Sequence, residues 1–277
     1  MTPDEYCQQK SAQSGSSFYY SFLFLPKERR RAITALYAFC REVDDAVDEP
    51  AEASVAQAKL AWWRGEVAQL YAGNPQHPVT RALAPLLQPF NIERARLEDI
   101  MDGMEMDLLQ SRYLDYANLR VYCHRVAGVV GILAAGIFGY RNPQTLEYAA
   151  KLGLAFQLTN IIRDVGEDAR INRIYLPMDE LKQFNVTAAD ILNARQTENF
   201  SRLMAFQGER AQRCYDEAMA LLPAEDRKTQ RTGLIMSAIY RTLLDEIAAD
   251  GYQVLKQRTS LPPVRKLWLA WKTWVSA

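Results

Sequence analysis

Residues 37–48 read Tyr37-Ala38-Phe39-Cys40-Arg41-Glu42-Val43-Asp44-Asp45-Ala46-Val47-Asp48. On a helix that turns about 100° per residue, Arg41 lies about 40° from Tyr37, and Asp44 and Asp48 lie about 20° to either side of it. One face therefore carries a tyrosine, an arginine and two carboxylates. The surrounding positions, Ala35, Leu36, Ala38, Phe39, Ala46 and Val47, are apolar. A helix this apolar elsewhere is not a freely solvated one, so its acidic stripe is expected to point into a cavity.

A second stripe follows the same rule. Relative to Gln157, Asn160 lies at about −60°, Asp164 at about −20° and Asp168 at about +20°. Leu154, Phe156, Leu158, Ile161, Ile162 and Val165 flank it. Like charges gathered in a cavity need compensating cations or protons. Carboxylates with an amide oxygen are hard oxygen ligands suited to Mg²⁺, which keeps some coordination positions for water and phosphate oxygens. Two such stripes facing each other could hold a diphosphate between metal ions, with Arg41 and Arg163 as cationic partners.

Helical periodicity extends outward from these stripes through most of the chain. The pattern predicts helices over 26–48, 51–72, 79–90, 92–110, 118–138, 143–165, 187–193, 197–222 and 228–257, with prolines at the joints. Strand and hairpin signals are nearly absent. No linker or repeat divides the chain, so a single all-α domain over 1–277 is expected. The run 126–140 holds Gly128, Gly131, Gly136 and Gly139 among apolar residues. Such glycines either permit close helix packing or make room for an apolar ligand, and the second is the functional expectation. The run is also too short for a membrane span, which needs about 20 residues.

The 277 residues balance 33 Lys and Arg against 33 Asp and Glu, which argues against a nucleic-acid binder. A hydrophobic share of 49% with no net charge argues against disorder. Cys7, Cys40, Cys123 and Cys214 form no CxxC pair, and His77 and His124 are too far apart for a paired metal motif. The histidines are read as structural. Without a signal-peptide core at the start, a cytoplasmic location is expected, either free or peripheral at the inner face of the membrane. The segment Asp99, Asp102, Glu105 and Asp107 shares no single face and reads as structural or surface support.

The chain resembles the squalene/phytoene synthase family. The resemblance rests on 16–22 (Ser16-Ser17-Phe18-Tyr19-Tyr20-Ser21-Phe22), the first acidic run and 122–128 (Tyr122-Cys123-His124-Arg125-Val126-Ala127-Gly128). It continues through Gln157-Leu158-Thr159-Asn160-Ile161-Ile162-Arg163-Asp164 and Glu167-Asp168-Ala169-Arg170 to Arg173-Ile174-Tyr175-Leu176-Pro177. Within that family the first part is most like bacterial presqualene diphosphate synthases of hopanoid pathways. The resemblance implies an isoprenoid-synthase helical bundle around a central cavity, binding three Mg²⁺. Asp44 and Asp48 would be metal ligands on one wall, and Asn160, Asp164 and Asp168 on the other. Ser17, Tyr37, Arg41, Tyr122, Gln157, Arg163, Arg170, Arg173, Tyr175 and Tyr240 match positions that meet the prenyl diphosphates. Arg258 is a candidate for a further family arginine. Asn172 replaces the more usual glycine before Arg173.

The implied activity is a transferase joining two farnesyl diphosphates head to head into presqualene diphosphate. Phytoene synthesis from two geranylgeranyl diphosphates is the alternative, as is squalene synthesis with NADPH, although NADPH is not expected. A non-catalytic helical scaffold is the reading from another class. Phe18, Tyr19, Tyr37, Tyr122 and Phe156 could face a carbocation through their rings. The tail, 259–277, is basic and rich in Trp. It suits either a docked C-terminal helix with tryptophans as packing or an interfacial membrane helix.

Overall fold

The computed structural model describes residues 1–13, 18–22, 24–48 and 52–276, with the side chains of Tyr19 and Tyr20 left out of the description. The helices are α1 (Pro3–Gln13), α2 (Phe18–Phe22), α3 (Lys27–Asp48), α4 (Ala53–Tyr71), α5 (Pro78–Leu83), α6 (Arg94–Leu109) and α7 (Tyr116–Cys123). They continue as α8 (Val129–Phe138), α9 (Gln144–Arg170), α10 (Met178–Gln183), α11 (Ala188–Leu192), α12 (Glu198–Leu221), α13 (Arg231–Ala249) and α14 (Pro263–Ser276). Among the described residues there is no strand, only an isolated bridge between Arg112 and Ile174. The all-α expectation holds.

Two apolar clusters build the interior. The first joins α3 to α4, α5, α6 and α8 through residues such as Leu36, Phe39, Trp63 and Leu97. The second wraps α9 with α12 and α13 through Leu152, Phe200, Tyr215 and Ile239. In α3 the buried positions Ala32, Ala35, Leu36, Phe39, Val43, Ala46 and Val47 recur at three- and four-residue steps. That spacing leaves the Arg41–Asp44–Asp48 face free of the core. Phe18 and Val126 pack against both clusters, and a cavity lies between them.

Local chemistry sets the joints. Asp115, Thr187 and Thr197 accept backbone N–H groups at the starts of α7, α11 and α12. His77 accepts from Val79 N through Nδ1 and caps α5, a structural role as expected. Between α7 and α8 the backbone forms a π-turn over His124–Gly128. The continuous helix, Tyr116–Phe138, begins before the uncharged run 126–140 and is long and apolar enough to cross a membrane by length and composition. Here Leu119, Tyr122, Cys123, Val129 and Leu133 are buried inside the bundle. Gly131 permits close packing, since a Cβ there would overlap the Ala149 carbonyl, and from the other side a Cβ at Gly153 of α9 would overlap the Ala127 carbonyl. The α8 and α9 backbones touch there, and Gly131 also lines the cavity, so both readings apply at this position.

The last predicted helix stops early, at Ala249, because Gly251 and Tyr252 adopt positive φ (66° and 56°). The chain released by this stop, 252–262, folds across the C-terminal half of α9. Gly166 permits the approach, since a Cβ there would overlap the carbonyls of Val254 and Leu255.

Candidate active site

The cavity measures about 640 Å³, within the range of small-molecule sites. Tyr37, Arg41 and Asp44 from α3 line one side, and Gln157, Asn160 and Arg163 from α9 line the other. Tyr122, Gln230, Tyr240, Arg258 and Lys266 add further polar groups to the lining. Phe18 packs its ring against Tyr37 at 5.8 Å, Tyr240 at 6.0 Å and Phe156 at 6.1 Å. Leu36, Val130, Leu152 and Met236 extend the apolar wall.

Each acidic stripe is met by arginine. Arg41 donates to Asp44 at 2.6 Å and to Asp45 at 2.7 Å. Arg173 donates to Asp48 at 2.7 Å, tying the segment after α9 to the end of α3. Arg163 Nε and Arg258 Nε both donate to Asp164 Oδ1, at 2.7 and 2.8 Å, and Arg258 also pairs with Glu167 at 3.2 Å.

Burial and mutual repulsion dominate the carboxylates. Burial pushes Asp44 up to about 7, outweighing Arg41, with Asp48, Asp45 and Asp107 adding repulsion. Burial pushes Asp168 up to about 8, reinforced by Asp164, Asp107 and Asp48. At Asp164 burial is opposed by Arg163 and Arg258, which hold it below the usual carboxylate range. Asp44 lines the cavity, and Asp48 and Asp107 are close enough to act on both Asp44 and Asp168.

Asp107 was not expected there. It accepts the hydroxyls of Tyr122 and Tyr175, each at 2.9 Å, and the two rings stack at 5.2 Å. Burial raises it to about 6 against the pull of Arg173 and the two tyrosines. Its acidic neighbours behave as expected: Arg64 bridges Asp102 and Glu105 at the surface. The separating signal was in the sequence, because Asp107 is about 140° around the helix from Asp102.

Arg170 is a second correction. It is exposed and does not line the cavity. Two residues past Asp168, it points about 200° away from that side chain. Ser17 lies outside the described residues, as does the side chain of Tyr19. Asn172 takes φ 60° and accepts from Arg112 at 2.9 Å. Asparagine tolerates this left-handed conformation better than most side chains, so the loop forms without the glycine.

Divalent cations fit the donors present. Asn160 Oδ1 is buried with no hydrogen-bond partner, an oxygen left to accept from something other than protein. Asp44 and Asp168 are raised by burial and by neighbouring carboxylates, which a cation would relieve. No three of the described Asp, Glu, His and Cys side chains converge as a ready-made metal cluster. The two walls would thus each supply part of a coordination sphere that phosphate oxygens and water complete.

The squalene/phytoene synthase family model matches residues 11–265. The chain belongs to this family. Its head-to-head prenyl transferases join two allylic diphosphates. The phytoene synthase of Arthrospira platensis is 39% identical over 95% of this chain and 89% of the relative. The 15-cis-phytoene synthase of Synechocystis sp. is 35% identical over 99% of this chain and 85% of the relative. Among family structures, a dehydrosqualene synthase in complex with ligand aligns with a TM-score of 0.87 and 28% identity, covering 99% of this chain and 96% of the other.

These relatives overturn the presqualene diphosphate expectation. Phytoene synthases share 35–39% of the aligned residues over nearly the full length, matching the alternative reading instead. The motifs behind that expectation imply diphosphate binding, which substrates of every prenyl length share. Prenyl length is set by apolar walls that those motifs do not describe.

Proposed function

We propose that this protein is a phytoene synthase, joining two C20 geranylgeranyl diphosphates head to head. The observation that carries the reading is the near-full-length identity to phytoene synthases. The cavity supports it. Along α9 its lining runs from Tyr148 to Arg163, about 22 Å at 1.5 Å per residue. A four-isoprene chain of sixteen main-chain carbons extends about 18 Å at roughly 1.2 Å per bond.

Ionisation of the first allylic diphosphate separates charge, and Arg41, Arg163 and Arg258 are placed to receive the departing anion. The allylic cation stays among Phe18, Tyr37, Phe156 and Tyr240, whose ring faces stabilise it and whose packing excludes water. The C2=C3 bond of the second substrate attacks C1 of the cation, and loss of a proton closes a cyclopropane. Departure of the second diphosphate, rearrangement and loss of another proton give the C40 hydrocarbon. Two diphosphates and two protons leave per product, so no reductant enters. Mg²⁺ held by Asp44, Asp48, Asn160, Asp164 and Asp168 would supply Lewis-acid stabilisation of the leaving diphosphates.

Incubation of the purified chain with Mg²⁺ and either geranylgeranyl or farnesyl diphosphate, with and without NADPH, tests the reading. The expected product is a C40 hydrocarbon from the C20 substrate, with two diphosphates released and no NADPH requirement. Turnover of the C15 substrate alone would overturn it.

A further inference from the structure

Helix α14 is turned inside out for a surface helix. Such helices normally bury their apolar stripe and expose the polar one. Here Val264, Leu267, Trp268, Trp271, Trp274 and Val275 fall within about 120° of one another, and they are between 40% and 78% exposed. The opposite face, toward the protein, carries Lys266, Leu269, Ala270 and Thr273, of which only Ala270 is fully buried. The apolar stripe continues onto Phe24, itself exposed, which stacks on Trp274 at 5.7 Å.

Charge selects the occupant. No acidic residue follows Asp250, whereas five Lys and Arg residues do; Arg258 and Arg265 pair with Asp164 and Glu246 and Lys266 lines the cavity, while Lys256 and Lys272 are exposed. Lys272 lies 5.0 Å from the Trp268 ring centre, at the edge of the stripe. Exposed tryptophans flanked by cations match the boundary between headgroups and acyl chains of an anionic bilayer. The position is consistent with a membrane route, because Leu261, Pro263 and Lys266 of the same segment line the cavity. The helix that faces outward with tryptophan also forms part of the wall of the prenyl site.

We propose that α14 docks this protein on an anionic lipid surface through the Trp268–Trp271 stripe. The proposal goes beyond the substrate assignment and does not depend on it. Flotation of the full chain with vesicles of phosphatidylcholine, alone or with phosphatidylglycerol, tests it. Flotation is expected with the mixed vesicles and is expected to weaken with added salt. The double variant Trp268→Ala/Trp271→Ala should lower partitioning by about tenfold or more, while turnover of detergent-dispersed substrate stays unchanged. If that variant is destabilised, Val264→Asp puts a charge at the most exposed position of the stripe and should give the same loss. Equal flotation of parent and both variants, or none with either vesicle, would overturn the proposal. So would a dimer in sedimentation that the double variant dissolves, since the stripe would then be an interface between copies.

Discussion

Arg258 Nε meets Asp164 Oδ1 at 2.8 Å across 94 positions of sequence. The contact links the strap 252–262 to α9 and puts a guanidinium at the cavity wall. Its side chain is nearly half exposed, so the pair itself contributes little stability. Arg258→Ala should leave the melting temperature nearly unchanged. It should lower kcat/KM by about a hundredfold through loss of charge stabilisation at the leaving group. Arg258→Lys should restore only part of this, because a single ammonium cannot replace the planar guanidinium fork. Steady-state kinetics beside a thermal melt separates the two effects.

Gly166 makes that contact reachable. Gly166→Ala places a methyl group against the carbonyls of Val254 and Leu255. The strap must shift, at a cost of about 1–3 kcal/mol. Activity should fall as in Arg258→Ala, but with a lowered urea midpoint. Combining the two substitutions should cost less activity than the sum of the single effects. A fully additive double variant would separate Gly166 from Arg258.

The acidic walls predict an unusual pH dependence. Asp44 and Asp168, at about 7 and 8 in the folded protein, titrate near 3.9 in an unfolded chain. Between those values the folded state holds more protons than the unfolded one, so these groups make stability fall as pH rises. In chelator, the melting temperature should decline from about pH 6 to about pH 8.5. Mg²⁺ with inorganic diphosphate should flatten the decline, stabilising more at the higher pH. A metal-free melting temperature that rises across this range would contradict the assignment.

Asp107 anchors two aromatic rings and adds negative charge to the walls. Asp107→Asn keeps an acceptor for one tyrosine hydroxyl but removes the charge. Metal-free stability near pH 8 should hold or increase, because a repulsive partner of Asp168 is lost. Turnover should fall by about ten- to a hundredfold as the Tyr122–Tyr175 pair loses its fixed geometry. Calorimetry and kinetics on the same preparation would show whether the two quantities move apart in this way.

Much of this site could be read from helical phase. Tyr37, Arg41, Asp44, Gln157, Asn160 and Arg163 are brought to one cavity because both stripes obey the same angular rule. Asp107 escaped because it was judged together with Asp102 and Glu105, although its own phase set it apart. Arg170 was carried by motif proximity, and phase turns it away from the cavity. The strap that delivers Arg258 was hidden inside a helix expected to reach residue 257. Backbone reversal at Gly251 and Tyr252 depends on local φ, which an apolar period does not encode. Chain-length preference depends on wall shape, and no short motif reports that.

Arg41, Arg163 and Arg258 each clasp an aspartate that is suited to hold a cation. A divalent ion at Asp164 would release two guanidinium groups from that aspartate, Arg258 keeping Glu167, and turn them toward phosphate oxygens. When a diphosphate claims those guanidinium groups, the aspartate becomes available to metal. Each ligand thus removes the other's competitor, and the binding of either must tighten the other by the same factor. Metal and substrate should therefore load synergistically, leaving the protein poorly charged with one until the other arrives.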